Sequence, residues 1–174
     1  MEKRVSKTIF PRESRLSKVH ILFDYSEGVR TLVEQFKYER RREIVNYLMS
    51  FYDFSELMYD CIVPVPLHHV RFRERGFNQS ELIAKNLVQF THIPIVKRGV
   101  QRVRYTKQQT GLQKEERNKN LLNAFKIRSP ERFQNKRVLL VDDVYTTGST
   151  LENLAKAFRG FPSCIDGFVL ASKA

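Results

Sequence analysis

Two adjacent carboxylates, Asp142 and Asp143, stand just before a run of small polar residues, Thr146, Thr147, Gly148, Ser149 and Thr150. Paired acids accept hydrogen bonds from vicinal hydroxyls, or help hold Mg²⁺ through oxygen ligands and water. The run after them offers hydroxyls. Where it enters a helix it also offers unpaired backbone N–H groups and the positive end of the helix dipole. The acids would serve hydroxyls and not a phosphate, because like charges repel. Both halves together suit a sugar phosphate. Taken alone, the same residues also allow a solvated acidic turn capped by Ser149 or Thr150.

The flanking residues say how this stretch is held. Val138, Leu139, Leu140 and Val141 form an apolar run too short for a helix, which reads as a strand buried on both faces. Leu151, Leu154, Ala155 and Phe158 recur at the spacing of one helix face. A strand, a polar turn and a helix place the acids at the carboxyl end of a strand, where ligands bind in open α/β sheets.

The rest of the chain repeats this alternation. Residues 19–25 read as a strand, with His20 partly exposed on it; Asp24 or Ser26 then caps a helix whose inner face is Val29, Leu32, Val33 and Phe36. A second helix, from about Arg42, turns Ile44, Val45, Leu48 and Met49 inward. Residues 61–66 are a buried strand stopped by proline, and 67–76 a loop at its end. Gly76 there takes a turn conformation closed to other residues. Asn78 or Ser80 caps a helix facing Leu82, Ile83, Leu87 and Phe90 to the core. Residues 93–96 and 125–127 are short strands, 129–131 a turn, and 164–170 the last strand. Strands alternating with helices define an α/β domain with a mostly parallel sheet covered on both faces. Residues 1–18 are polar and basic, expected as a mobile leader, so the domain is taken to run over 19–174.

Two basic segments stand out. Arg71, Arg73 and Arg75 supply planar donors suited to phosphate oxygens, and His68 and His69 either contact a diphosphate or lie exposed. Residues 97–119 carry Lys97, Arg98, Arg102, Arg104, Lys107, Lys114, Arg117 and Lys119 against Glu115 and Glu116. With few apolar anchors, they read as a mobile loop of functional length or a solvated linker. Phe72, Phe77 and Tyr105 interleave with these cations, the composition of a groove that holds single-stranded nucleic acid without reading its sequence.

The 174 residues, with 41% hydrophobic and 29% charged side chains, suffice for one domain with a real core. The net charge of +12 suits either an anionic partner (nucleic acid, a polyphosphate or an acidic membrane surface) or simply a soluble basic protein. No apolar run reaches membrane-spanning length and no secretory signal precedes residue 17, so a cytoplasmic protein is expected. Cys61 and Cys164 lie far apart in apolar runs and are expected to be reduced core residues.

The string Val-Leu-Leu-Val-Asp-Asp-Val-Tyr-Thr-Thr-Gly-Ser-Thr (138–150) closely resembles the phosphoribosyl-pyrophosphate (PRPP) signature of type I phosphoribosyltransferases. Two further stretches narrow it. They are Val-Pro-Val-Pro-Leu-His-His-Val-Arg-Phe-Arg-Glu-Arg-Gly-Phe-Asn-Gln (63–79) and the spaced residues Thr106, Gln109, Leu112, Arg117 and Asn120 before Ala124-Phe125. Together they resemble the ComF family of phosphoribosyltransferase-like competence proteins, from about Phe23 to the end of the chain.

That resemblance implies a type I phosphoribosyltransferase fold with a small hood and flexible loop. Asp142, Asp143 and Thr146 to Thr150 would bind the ribose and 5′-phosphate. Leu67, His68, Arg71 and Arg75 are candidates for pyrophosphate, with Mg²⁺ held indirectly through the two aspartates. Arg104, Lys107, Gln109 and Arg117 would belong to the flexible cover. It further implies handling of single-stranded DNA in natural transformation, for which Arg71, Phe72, Arg73, Arg102, Arg104, Tyr105 and Lys107 are candidates, and a helicase or other DNA-processing partner. The alternatives are an active transferase releasing pyrophosphate to an unidentified acceptor, a regulator that senses PRPP, or a basic adaptor attached through the leader. ComF-type proteins commonly carry an N-terminal zinc module of paired Cys-x-x-Cys motifs; two scattered cysteines cannot furnish it, so no zinc is expected in this chain.

Overall fold

The computed structural model describes residues 7–38, 43–104 and 123–173. Nine elements make the main layer structure: β1 (Lys7–Ile9), β2 (Val19–Asp24), α1 (Glu27–Tyr38), α2 (Glu43–Met49), β3 (Cys61–Pro64), α4 (Gln79–Thr91), β6 (Arg137–Tyr145), α5 (Ser149–Ala157) and β7 (Cys164–Ser172). A short helix, α3 (His69–Arg75), and a separate ribbon of β4 (Val100–Arg102) and β5 (Phe125–Ile127) complete the described chain, with one 3₁₀ turn at Pro130–Phe133.

Among the described residues the sheet has the order β1-β2-β7-β6-β3, parallel throughout except for β1 at one edge. Val138 to Val141 of β6 are wholly buried between β3 and β7. A strand covered on both faces needs no polar alternation, which is why it reads as a continuous apolar run. The alternation is still there in the packing. Val138 and Leu140 join one core with Leu151, Leu154, Ala155 and Phe158 of α5, together with Phe125 and Phe133. Leu139 and Val141 join the other, with Phe36 of α1, all four inner residues of α2, and Ile83, Ala84 and Leu87 of α4. Helices thus cover both faces, as expected. Because the strands run parallel, the carboxyl ends of β2, β3, β6 and β7 share one edge. The register Pro64↔Val141, continued by the Val65 N–H donating to the Val141 carbonyl at 2.9 Å, sets the segment after β3 beside Asp142.

Several sequence expectations are corrected. From Lys7 onward the supposed leader belongs to the domain: β1 pairs with β2, Leu16 is buried in the first core, and Ser14 hydrogen-bonds Glu152 of α5. The segment 67–76 is not all loop, since α3 forms within it. That helix buries none of its residues, so no apolar period announced it. It is held instead by caps: His68 Nδ1 accepts from the Val70 N–H at 3.4 Å, and Gly76 closes it in the left-handed conformation at φ 77°. Residues 93–96 make only a single bridge, Ile95 to Ile62. The basic segment from Lys97 is not all loop, since Val100–Arg102 form β4, antiparallel to β5. Phe90 lies half-exposed, stacked on Phe54 at 4.7 Å, and Ala84 takes the core position instead. Cys61 is buried but Cys164 only half-buried, and neither is in a disulfide.

His20 is a further correction, because it is 4% exposed. At the amino ends of the strands, the Tyr59 hydroxyl donates to Asp166 Oδ2 at 2.7 Å. Its oxygen must therefore accept from His20 Nε2 at 2.8 Å, which leaves His20 Nδ1 to accept from the Tyr52 hydroxyl at 3.2 Å. Burial and the nearby Lys18 push His20 down to about 4 from 6.5, against the opposing pull of Asp166. Between those two values the unfolded chain binds a proton that the folded protein refuses, so stability is present above pH 6.5 and lost as pH falls toward 4. His20→Gln can still donate to Tyr59 and accept from Tyr52 without taking a charge. The wild type should lose unfolding free energy relative to His20→Gln as pH drops from 7 to 4.5 in denaturant titrations; parallel pH profiles would refute this account.

Candidate functional site

The site assembles from the last residues of β6 and the segments that converge on it. Asp142 Oδ1 accepts two hydrogen bonds, from Ser80 Oγ and from the Asp143 N–H, each at 3.0 Å. Ser80 sits in the first turn of α4 and is 3% exposed, so one carboxylate oxygen is held from across the fold. Asn78 caps that turn, its Oδ1 accepting from the Ser80 N–H at 3.1 Å, while its Nδ2 donates to the Val65 carbonyl at 3.0 Å. One asparagine therefore fastens the segment after β3 to the start of α4.

Above this edge lies Arg102, from the end of β4. Its guanidinium carbon stands 5.5 Å from the Phe125 ring centre. Burial lowers its pKa, Asp142 nearby raises it, and Arg71 nearby lowers it. Arginine stays protonated in proteins, so a half-buried cation here feels both an acid and a second arginine. His68 is 7% exposed, with its ring 4.0 Å from that of His69. Its pKa is lowered by burial first and then by His69 and Arg102, which favours the neutral imidazole. Asp142, Arg102, Arg71 and His68 thus lie within electrostatic reach of one another at the carboxyl edge of the sheet, with Arg71 also paired to Glu74 at 3.0 Å.

The loop after β6 forms the other side. Gly148 adopts φ 73°, and a Cβ there would run into the Tyr145 ring, so the turn is built around glycine. Thr147 Oγ1 bonds Ser149 Oγ at 2.9 Å and accepts from the Ser149 N–H at 3.4 Å. The position before α5 is Gly148, which has no side chain to cap the helix, so neither Ser149 nor Thr150 is the cap.

Of the residues named from sequence, Asp142, Asp143, the 146–150 loop, Leu67, His68 and Arg71 lie along this edge. Arg75 shares a face of α3 with Arg71, one turn on, and its Nη1 donates to Gln79 Oε1 at 3.1 Å. Phe72 and Arg73 are exposed on the remainder of α3, and Arg104 is exposed beyond β4. Arg102 is half-buried at the end of β4, close enough to Asp142 to feel its charge. Tyr105, Lys107, Gln109 and Arg117 lie outside the described residues. The sequence reading missed Ser80 as more than a cap, Gln79, and Tyr145. Only the polar string Asn78-Gln79-Ser80 directly after the glycine turn hinted at them.

A parallel α/β sheet with acids and a hydroxyl-rich helix entrance at its carboxyl edge defines the phosphoribosyltransferase class of fold, and the model of the phosphoribosyl transferase domain matches residues 75–174. The chain belongs to that family, and within it to the ComF-type proteins. Competence protein F of Haemophilus influenzae is 35% identical over 164 residues, covering 85% of this chain and 69% of that protein. The DNA utilization protein YhgH of Escherichia coli is 36% identical over 142 residues, 76% of this chain and 62% of that one. Competence protein ComFC of Bacillus subtilis is 28% identical over 174 residues, 96% and 67% respectively. The chain therefore spans about two thirds of the length of these relatives.

The Gly148 geometry is testable directly. Gly148→Ala should cost about 1–2 kcal/mol of stability from the left-handed backbone alone, before the collision with Tyr145 is counted. Chemical denaturation would show it, and an unchanged midpoint would mean that the turn is not held as described.

Proposed function

We propose that this protein binds PRPP or a closely related sugar phosphate at the carboxyl edge of its sheet, and single-stranded DNA on the adjoining basic face, in DNA uptake or utilization in the cytoplasm. The observation that carries the ligand reading is the meeting at one edge of Asp142, held by Ser80 Oγ at 3.0 Å, the glycine-built turn at Gly148, and the half-buried Arg102, which feels both Asp142 and Arg71. A cation held there, next to an acid and against a second cation, suits a ligand that brings hydroxyls at one end and a diphosphate at the other. The relatives named for competence and DNA utilization support the DNA half.

In this reading the 146–150 loop and the amino end of α5 receive the 5′-phosphate through hydroxyls and backbone N–H groups. Asp142 and Asp143 accept from the ribose hydroxyls. Arg71, Arg75, Arg102, His68 and the backbone at Leu67 face the diphosphate. Among the described residues no cluster of three or more His, Cys, Asp or Glu side chains is arranged to hold a metal. The donor set nevertheless fits Mg²⁺, which typically takes one or two carboxylates together with substrate phosphates and water. When bound, the ion would neutralise diphosphate charge, with Asp142 and Asp143 holding it through water. Arg104, Lys107, Gln109 and Arg117 are proposed as the cover over the ligand.

Phe72 and Arg73, exposed on the outer side of α3, are proposed to meet DNA with Arg104, Tyr105 and Lys107. Arg71 of the same helix, paired with Glu74 at 3.0 Å, is close enough to Arg102 to affect it, so α3 would present one side to each partner. A second reading is an active transferase. The cations beside the acids would stabilise a departing pyrophosphate as an acceptor attacks the ribose carbon that bears it. A DNA-processing helicase as partner is proposed from the relatives' roles alone. Among the described residues no helix is long and apolar enough to cross a membrane.

Calorimetric titration of the folded protein with Mg²⁺ and PRPP should give saturable heat, weakened at least tenfold by Asp142→Asn with Asp143→Asn. Absence of heat from the wild type would end the ligand reading. Single-stranded DNA affinity should fall steeply with salt, since phosphate contacts release counterions. Phe72→Ala with Arg73→Ala should weaken DNA about tenfold or more, through one lost stacking platform of ~1–3 kcal/mol and one phosphate contact. Fluorescence anisotropy over a salt series checks both, and salt-insensitive binding would exclude an electrostatic surface.

A further inference from the structure

The first turn of α4 contacts both ends of the proposed site through two consecutive side chains. Ser80 Oγ donates to Asp142 Oδ1 at 3.0 Å, reaching the acid expected to hold the ribose. Gln79 Oε1 accepts from Arg75 Nη1 at 3.1 Å, reaching an arginine expected to face the diphosphate. Both residues are almost fully enclosed, Gln79 at 2% and Ser80 at 3% exposed. Asn78 pins this turn to the segment after β3 through the Val65 carbonyl. The turn therefore cannot shift without moving the backbone on which the diphosphate side is built.

The Gln79 amide adds a second observation. Its oxygen is fixed by Arg75, an obligate donor, so the amide orientation is unambiguous. Its Nε2 then has no hydrogen-bond partner among the described residues, although the atom is buried. An unsatisfied buried donor destabilises the fold. A glutamine chosen for packing alone would give way to an apolar residue at such a position. A glutamine kept there holds Arg75 at the expense of stability, as positioning residues at functional sites do.

We infer that Ser80 and Gln79 are positioning residues for opposite ends of one ligand, Ser80 aligning Asp142 on the ribose and Gln79 aligning Arg75 on the diphosphate. The inference rests on the sugar-phosphate reading above and adds a division of labour that the reading does not contain. Ser80 acts through the acid, so its loss is felt by any ligand with the ribose hydroxyls. Gln79 acts through the arginine, so its loss is felt only by ligands carrying the diphosphate. Neither residue itself touches the reacting atoms.

The test is calorimetric titration of the full chain with three ligands in Mg²⁺: PRPP, ribose 5-phosphate and inorganic pyrophosphate. Ser80→Ala should weaken PRPP and ribose 5-phosphate by the same factor, about fivefold, and leave pyrophosphate where it was. Ser80→Thr, which restores the hydroxyl, should recover most of that loss. Gln79→Leu should weaken PRPP and pyrophosphate about tenfold, with ribose 5-phosphate unchanged. Circular dichroism and melting of each variant confirm the fold. Wild-type protein that ignores PRPP would refute the underlying reading. Wild-type binding with equal losses for all three ligands, or with none, would leave that reading standing and overturn the division of labour.

Discussion

The structure depends on the burial of β6. Four consecutive apolar side chains, Val138 to Val141, are covered on both faces, and each fully buried aliphatic side chain contributes roughly 1.5–3 kcal/mol. Two carboxylates follow at once, and unpaired charge cannot stay inside such a layer without a large desolvation penalty. The strand must therefore bring them out at the edge of the sheet, half-buried and supplied with donors. The hydrophobic effect fixes the depth at which Asp142 and Asp143 emerge, and the parallel register of β3 beside β6 decides what stands next to them.

Charge is arranged around that point with opposite signs in contact. A net +12 says only that the protein favours anions, and a cation on a solvated surface adds little to stability. Arg102 is different because burial against Phe125 removes much of its solvent and leaves Asp142 as a favourable neighbour. Arg71 opposes it. Arg71 is itself paired with Glu74 on the same helix, at 3.0 Å.

The opposite edge of the sheet solves another problem. Tyr52, His20, Tyr59 and Asp166 form a chain of hydrogen bonds in which each polar atom's role follows from its neighbour's. It ties β2 and β7 to the segment before β3 with a neutral imidazole. Among the described residues this buried polar chain lies at the amino ends of the strands, and the two acids of β6 lie toward the carboxyl ends. This polarity is general for parallel α/β sheets and follows from having all the strand ends of one kind on one side.

The α/β class, the inner faces of α2 and α5, and the acids at a strand end were legible because they rest on local periodicity and on runs of four or more residues. The helix at His69–Arg75 was not, since it buries nothing and is held by caps. Nor was the burial of His20, which depends on two tyrosines more than thirty residues away closing over it. Arg102 looked like any other cation in a basic stretch until the β4–β5 ribbon carried it to Asp142. By itself the sequence determined that two acids and a hydroxyl-rich turn would sit between a buried strand and a helix, because motif and period are properties of neighbours along the chain. Only the tertiary structure decided that Ser80 would hold Asp142, that Gln79 would hold Arg75, and that Arg102 would turn inward. The first of these contacts joins residues 62 apart, the second needs the turn between α3 and α4, and the third needs the β4–β5 ribbon, so each depends on how elements are placed in space.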